Sequence, residues 1–411
     1  MKRPSLLLLL AIACTLGTEP TDSPRFASVV TPPKVLLIAG DIARCGIGED
    51  EQTAALLDSL VRLHPSAIVV PNGDLVYETG TAANFANCYA PSWGRHRQRS
   101  RPLVGNHEYD ASPTAQFYFD YWNGVGVTDG PAGPRGKGYY RYDPHPSWHV
   151  VALNTNSGFV STRVNTPQGN WLKADLAAHN KPCLLALFHH PRFTSPPTSL
   201  SGYTLYPWQQ LLQADADLAV NASFHHYERF APQREDGTPD QAGIRQFIVG
   251  TGGASGAPKP ATRRANSEKW GNTRGVLKLE LGEGFYRWTF VSIPTRPFTD
   301  TGTASCHNAG RPIDDPPAPP PPDPTPPPVP PGTINLAVKG ERRADGKAYM
   351  TLDWTGATGA TVRVFRNGPL LGTTQNDGHY VNSKTYTGPA TYTYKVCDAA
   401  GCSPEAKVSI P

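Results

Sequence analysis

Side chains able to bind metal ions recur along the sequence, each just after a short apolar run. The groups are, in chain order, Asp41, Asp74 with Tyr77, Asn106-His107, His189-His190 and His225. A lone Gly-Asp is a common turn, but five ordered groups are difficult to attribute to turns. Carboxylate, imidazole, carboxamide and phenolate ligands suit iron, manganese or zinc. Two such cations held ~3.5–4 Å apart can clamp a phosphate and generate hydroxide near neutral pH, so the pattern predicts metal-assisted hydrolysis.

These groups require a scaffold that brings distant segments together. Continuous apolar runs predict buried strands at 34–39, 67–70, 148–153, 184–188 and 218–220. Apolar residues at helical spacing predict helices over 52–63 and 171–178. Short apolar strands separated by helices indicate a layered α/β core. In such sheets the functional residues lie beyond the carboxyl ends of the strands, which is where these groups fall.

Composition limits the class of protein. The chain has 411 residues, enough for two or three domains at roughly 150 residues each. A hydrophobic fraction of 38% and a charged fraction of 18% exclude a largely disordered chain. The net charge of +4 is small and the basic residues form no long block, so no nucleic-acid partner is predicted. A secreted nuclease or phosphodiesterase ranks low, because no basic groove with interleaved aromatic residues is evident. No apolar run approaches the ~20 residues that a transmembrane helix needs.

The N-terminus predicts export. Lys2 and Arg3 precede an apolar run at 6–13, and small residues come directly before Cys14. This order is typical of a secretory signal, so residues 1–14 are assigned as a signal peptide region. Cys14 also fits a lipoprotein processing site with a lipid anchor. The expected location is therefore outside the cytoplasm: secreted, periplasmic or on the cell surface as a lipoprotein.

Six further cysteines indicate disulfides, because an even set in an oxidising compartment usually pairs. Cys397 and Cys402 flank a short turn and are the favoured pair. For the other four we favour Cys45 with Cys88 and Cys183 with Cys306, although the sequence leaves this connectivity open.

A proline-rich tract divides the chain. Residues 312–332 are predicted to be a linker, since proline runs adopt extended polyproline II structure. The segment 333–411 alternates apolar and polar residues in short runs with Asn-Gly and Asp-Gly turns, which predicts an all-β sandwich. Its Leu-Asp-Trp strand and Tyr-rich strand resemble a fibronectin type III-like module, which implies a spacer or adhesive unit.

The segment 34–306 resembles the calcineurin-like metallophosphoesterases, in particular the purple acid phosphatase branch. The resemblance rests on Gly40-Asp41, Gly73-Asp74-x-x-Tyr77, Gly105-Asn106-His107-Glu108, His189 before Pro191, and His225-x-Tyr227-Glu228-Arg229. Ala43 stands where the broader superfamily has a histidine, and Tyr77 follows the second Asp as in this branch. The resemblance implies a layered β-sandwich core flanked by helices.

The resemblance also implies a ligand set. Asp41, Tyr77 and His225 would bind one metal, Asn106 and His189 the other, and Asp74 would bridge them. The ions would be divalent or trivalent, iron with zinc or manganese. His107 would stand beside the substrate, binding phosphate or protonating the leaving group. His190 and Arg192 would contact substrate or be ordinary loop residues. Four arginines between Arg95 and Arg101 predict a solvated strand or loop face, with phosphate steering as the alternative.

One motif departs from the family. Ser223 stands where a histidine ligand of the second metal is expected, and Phe224 occupies a position that is often polar. Because hydroxyl is a poor substitute for imidazole, the second site is expected to be weaker unless His190 or His226 replaces the ligand. We therefore expect an exported hydrolase acting on small phosphate monoesters. The alternative is a catalytically weakened relative that binds or anchors at the cell surface.

Overall fold

The structure is a computed structural model that describes residues 31–46, 48–195, 202–257, 259–310, 334–342, 346–359, 361–385, 387–398 and 401–410. The predicted signal region at 1–14 and the predicted linker at 312–332 lie outside these residues. Among the described helices none is both long and apolar enough to cross a bilayer.

Strands and helices alternate through the first part of the chain. In order they are β1 (Lys34–Ala39), β2 (Ala43–Arg44), α1 (Glu49–Leu63), β3 (Ile68–Pro71), β4 (Val76–Tyr77), α2 (Ala82–Asn84), α3 (His107–Asp110), α4 (Gln116–Asn123), β5 (Tyr140–His145), β6 (Trp148–Leu153), α5 (Pro167–Ala178), β7 (Cys183–Phe188), α6 (Leu205–Gln213), β8 (Leu218–Asn221), β9 (Tyr227–Phe230), β10 (Arg245–Val249), β11 (Ser267–Gly271), β12 (Gly275–Gly282), β13 (Phe285–Ser292) and β14 (Thr299–Ser305). A π-helical turn at Phe85–Tyr89 and 3₁₀ helices at Trp93–Arg99 and Gly202–Thr204 complete this part.

Two sheets form the core of this domain. One has the order β14-β13-β12-β1-β3 and the other β11-β9-β10-β8-β7-β6-β5. β1 pairs with β3 in parallel, and β6, β7, β8 and β10 are successive parallel neighbours. Apolar side chains of both sheets share one buried cluster, as Leu36, Trp148 and Leu185 show. This confirms the predicted α/β fold.

Helices cover the sheets. Leu172 and Leu176 of α5 and Leu211 of α6 pack with Val151 in a second buried cluster, which uses the alternate residues of the seven-stranded sheet. α1 packs against β12 and buries Ala54, Leu57 and Leu60. Parallel strands joined by helices place their carboxyl ends along one edge, where the loops that carry polar side chains begin.

The C-terminal region is all β. Its strands are β15 (Asn335–Arg342), β16 (Lys347–Thr355), β17 (Thr361–Arg366), β18 (Leu370–Gln375), β19 (His379–Thr385), β20 (Ala390–Cys397) and β21 (Ala406–Ile410). They form two sheets, β15-β16-β19 and β18-β17-β20-β21. Leu352, Trp354, Val364 and Val396 lie in one buried cluster fed by both sheets, as the alternating pattern predicts. Kinship to fibronectin type III modules stays a prediction.

Two local expectations fared differently. The favoured cysteine pairs are the ones found: Cys45–Cys88, Cys183–Cys306 and Cys397–Cys402. The prediction of a strand or loop for the arginine-rich segment is wrong, because residues Trp93–Arg99 form a 3₁₀ helix. Arg95 pairs with Asp58 at 2.7 Å and Arg97 lies over the ring of Tyr121. Arg95 and Arg97 are thus held by neighbouring side chains, and phosphate steering stays a prediction.

Candidate metal centre

The predicted ligands sit on loops that leave the carboxyl ends of parallel strands. Asp41 follows β1, Asp74 follows β3, His189 follows β7 and His225 follows β8. Asp41, Asp74 and His225 all have positive φ angles, 56°, 51° and 41°, which are unusual for these residue types. Such backbone is a feature of tightly constrained functional loops.

Glycine makes the approach of two of these loops possible. Gly73 has a φ of 81°, and a Cβ atom there would lie 2.4 Å from Nδ1 of His189. Only a residue without a side chain lets the Asp74 loop pass this close to the His189 ring.

The hydroxyl of Tyr77 marks the first group of ligand atoms. It lies 2.8 Å from Oδ1 of Asp41, 3.0 Å from Oδ2 of Asp74 and 3.1 Å from Nε2 of His225. These four atoms belong to the residues predicted for the first metal together with the bridging aspartate. Their convergence is observed, whereas their role as ligands stays a prediction.

Asp74 and His189 mark the second group. Nε2 of His189 lies 3.1 Å from Oδ2 of Asp74. Oδ1 of Asp74 instead accepts the backbone N–H of His107 at 2.9 Å. Asp74 therefore presents one oxygen, Oδ2, to both groups. Nε2 of His107 faces the same oxygen from 3.8 Å, on the side where a substrate would enter.

His189 and His225 are each oriented by a hydrogen bond at Nδ1. Nδ1–H of His189 donates to the carbonyl of Asn72 at 2.9 Å, and Nδ1–H of His225 donates to the carbonyl of Ser255 at 2.5 Å. Each bond orients the ring so that Nε2 faces the centre. This arrangement is the usual outer support of metal-binding histidines.

The donor set fits metal ions. Oδ2 of Asp41 is buried and has no hydrogen-bond partner within the described residues, and the buried Nε2 of His189 faces only Oδ2 of Asp74 among them. Such atoms are costly to bury unless a ligand satisfies them. Ligand atoms of Asp41, Asp74 and His189 lie within 4.8 Å of one another. A second such cluster, Cys183, Asp217 and Cys306, does not fit a metal because its cysteines form a disulfide.

Burial and neighbouring charges shift the pKa values of three residues at this centre. Burial alone would raise the pKa of the Asp74 carboxyl, but the charge and hydrogen bond of His189 outweigh it and hold that pKa well below its usual range. Burial would lower the pKa of His189, yet the Asp74 charge raises it to about 9. Burial, followed by the Asp41 and Asp74 charges, raises the pKa of Tyr77 well above its ordinary value. The site thus holds concentrated negative charge that attracts a cation.

Sequence reasoning missed the role of Glu108, although its motif was recognised. Its buried carboxylate accepts the backbone N–H groups of Asp74, Leu75 and Gly105 at 3.1, 2.7 and 2.6 Å. Burial and the nearby Asp74 charge raise the pKa of Glu108 to about 7. A Glu directly after Asn-His was the available signal, but two of its three backbone partners, Asp74 and Leu75, come from another loop.

Arg192 and His226, two further candidates, both have protein partners. Arg192 donates to the carbonyl of Glu235 at 2.9 and 2.8 Å, as an ordinary loop residue would. His226 bonds the carbonyl of Phe224 and the carboxylate of Glu228, so it does not replace the missing ligand in this structure.

The contacts of His190 and of the loop that carries Ser223 concern the second predicted metal site. Nε2 of His190 is 3.1 Å from Oδ1 of Asn106, the remaining predicted ligand. Ser223 follows Ala222, whose N–H donates to the carbonyl of His189 at 2.8 Å. The backbone of the loop that should supply a histidine therefore contacts that of His189, and the residue at the expected position is a serine.

Known proteins place the domain in a class. Residues 34–220 match the family model of the calcineurin-like phosphoesterases, and no curated protein sequence matches the chain. This segment is therefore similar to the calcineurin-like phosphoesterases. Proteins of this family generally hydrolyse phosphoric esters and typically bind two metal ions.

Three solved structures are similar to this chain over about two thirds of its length, and the first two, with TM-scores of at least 0.50, have its fold. GAP50, described as the anchor in the inner membrane complex of Plasmodium, is 14% identical, with a TM-score of 0.51 over 67% of this chain and 90% of its own. PhoD is 11% identical with a TM-score of 0.50 over 69% of this chain and 71% of its own. Purple acid phosphatase PPD1 from yellow lupin is 19% identical with a TM-score of 0.49, over 66% of this chain and 54% of its own.

Proposed function

We propose that this protein is an exported, metal-dependent phosphoesterase that hydrolyses small phosphate monoesters. The supporting observation is the convergence of the side chains of Asp41, Asp74, Tyr77, His189 and His225, with Oδ2 of Asp41 buried and without a hydrogen-bond partner among the described residues. The three disulfides are compatible with an extracellular location. Export, with or without a lipid at Cys14, belongs to the proposal.

The chain would hold two ions with separate ligand sets. Asp41, Tyr77 and His225 would bind one ion, Asn106 and His189 the other, and Oδ2 of Asp74 would contact both. Iron with zinc or manganese suits these oxygen and nitrogen donors. When bound, the ions stabilise the negative charge of a phosphate and lower the pKa of bound water to about 7.

His107 would act on the leaving group. Its Nδ1–H donates to the carbonyl of Glu78 at 2.5 Å, and its ring packs on Tyr77 with centroids 4.3 Å apart. These contacts fix the ring with Nε2 toward Asp74 and the open side of the centre. A proton held at Nε2 can therefore be given to a departing alkoxide, which is the geometry that general acid catalysis requires.

The test is hydrolysis of an aryl phosphate by protein loaded with iron, manganese or zinc. We expect turnover in the unaltered protein and none in Asp74→Ala. Asp143→Asn is the matched control, because Asp143 pairs with His149 and contacts none of the candidate ligands. Absence of turnover with every metal would contradict the proposal.

A second candidate function is a weakened relative that binds or anchors. Ser223 in place of a histidine supports it, and GAP50, with the same fold, is itself described as an anchor. Under this proposal the protein binds one ion per chain and gains activity when Ser223→His restores the ligand. Two ions in the unaltered protein would argue against it.

A further inference from the structure

We propose that His190 is a ligand of the second metal ion and replaces the imidazole that Ser223 lacks. This inference rests on the proposed function, since it concerns the same centre. It assigns to the chain a second site built from Asp74, Asn106, His189 and His190.

The ring of His190 lies close to Asn106. Its Nε2 lies 3.1 Å from Oδ1 of Asn106, and Nε2 of His189 lies 3.1 Å from Oδ2 of Asp74. Metal–ligand bonds of ~2.0–2.2 Å place two donor atoms of one ion about 3 Å apart. Both pairs therefore have the separation of atoms that share an ion. The two rings are neighbours, with centroids 4.9 Å apart and nearly perpendicular planes.

Thr155 contacts the other nitrogen of this ring. Nδ1 of His190 lies 3.0 Å from the hydroxyl of Thr155, whose oxygen also accepts the backbone N–H of His190 at 3.1 Å. With Nδ1–H donating to Thr155, Nε2 keeps its lone pair and faces Asn106. His189 and His225 show the same arrangement, with Nδ1–H on an oxygen and Nε2 toward the centre. His190 can therefore adopt the same ligand orientation, since the Thr155 hydroxyl is able to accept from Nδ1–H.

The other neighbouring imidazoles have different partners and do not supply the missing ligand. His226 has both ring nitrogens on protein partners, Phe224 and the buried Glu228. His107 has Nδ1 on Glu78 and presents Nε2 to the open side, 3.8 Å from Asp74. His225 already lies with Tyr77 and Asp41. His190 is the neighbouring ring with a nitrogen at Asn106, which is predicted to bind the second ion.

The test is the number of manganese or zinc ions per chain, measured by elemental analysis after dialysis, together with the affinity of the second ion. We expect two ions in the unaltered protein. His190→Ala should weaken the second ion ~10–100-fold or more, since even residues behind a ligand have effects of that size. Adding Ser223→His to His190→Ala should restore two ions by returning an imidazole from the other loop.

Controls separate this role from folding. Retention of the first ion by His190→Ala shows that the centre is formed. Cobalt-loaded protein gives a second readout, because each bound histidine carries a shifted, exchangeable Nδ1–H proton resonance. We expect three such resonances in the unaltered protein and two in His190→Gln.

The outcomes are distinct. Two ions in both the unaltered protein and His190→Ala, with equal affinity, overturn the role of His190 and leave the phosphoesterase proposal standing. One ion in both proteins also overturns it and favours the weakened relative. No ion in the unaltered protein overturns the proposed function itself.

Discussion

The carboxylate of Glu108 accepts the backbone N–H of Asp74 at 3.1 Å, which joins two ligand-bearing loops at their closest approach. The same oxygen accepts the N–H of Gly105 at 2.6 Å, and the other oxygen accepts that of Leu75. Three donors on one buried carboxylate fix the loop that carries Asp74 relative to the loop that carries Asn106. The geometry of the centre therefore depends on a residue that is not itself a candidate ligand.

We predict that Glu108→Gln disrupts the centre although it preserves size. The amide nitrogen of Gln would face a backbone N–H, so at least one buried donor loses its acceptor, which costs roughly 1–3 kcal/mol. Metal affinity and activity should both fall, and thermal unfolding should shift down. A variant that keeps full metal content and stability would show that Glu108 does not position these loops.

Gly73→Ala is predicted to damage the second group selectively. The new Cβ would meet the His189 ring at 2.4 Å, and φ at this position is 81°. His189 must then move away from Asp74, so we expect loss of one bound ion. Gly136→Ala is the matched control, since Gly136 also has a positive φ, 79°, but a Cβ there meets nothing within 4 Å. Equal metal loss in both variants would mean that backbone strain, not the His189 contact, is responsible.

Asp217 is predicted to make stability depend on pH. Burial raises its pKa from an ordinary 3.8 to about 6, despite the opposing charge of His307 and hydrogen bonds from the N–H groups of Leu184 and His307. Between these two values the unfolded chain loses its proton while the folded chain keeps it. The contribution of Asp217 to stability is thus present below about pH 4 and is lost as the pH rises to about 6.

The measurement is the free energy of unfolding of the unaltered protein minus that of Asp217→Asn, from pH 4 to pH 7. The difference should fall by on the order of 2 kcal/mol and then level off above pH 6, since one pKa unit corresponds to about 1.4 kcal/mol. A difference that is constant across this range would contradict the raised pKa. The Asn variant has its own constant penalty, because its amide nitrogen faces one of the two N–H donors.

Removal of the Cys183–Cys306 disulfide is predicted to destabilise the metallophosphoesterase domain. The bond joins the start of β7 to the segment after β14 across 123 residues, and its loss typically costs about 2–5 kcal/mol. The midpoint of denaturant unfolding should fall in the Cys183→Ala/Cys306→Ala variant. If reduction of the unaltered protein leaves the midpoint unchanged, the bond contributes nothing in solution.

The fold was predictable because its strands are continuous apolar runs. β1 and β6 match their predicted bounds, and α1 begins at Glu49 rather than at 52 because its first turn carries acidic residues that apolar spacing does not register. The arginine-rich segment misled because alternate charges suggest a strand, whereas tertiary contacts with Asp58 and Tyr121 favour a 3₁₀ helix.

The candidate site was predictable in its members and not in its connections. The ordered motifs predicted that Asp41, Asp74 and His225 follow strands and meet at one centre; the structure brings them together, and their roles as ligands stay predictions. The direction of a side chain depends on partners far along the chain, so the bond between His190 and Asn106 was beyond sequence reasoning. The same holds for Ser255 behind His225.

Anomalous diffraction from crystals of manganese- or zinc-loaded protein tests the central claim most directly. We predict two peaks about 3.5–4 Å apart, one bound by Tyr77 and His225, the other by His189, with Asp74 touching both. Crystals with no peak at these residues, despite metal bound elsewhere, would contradict the account.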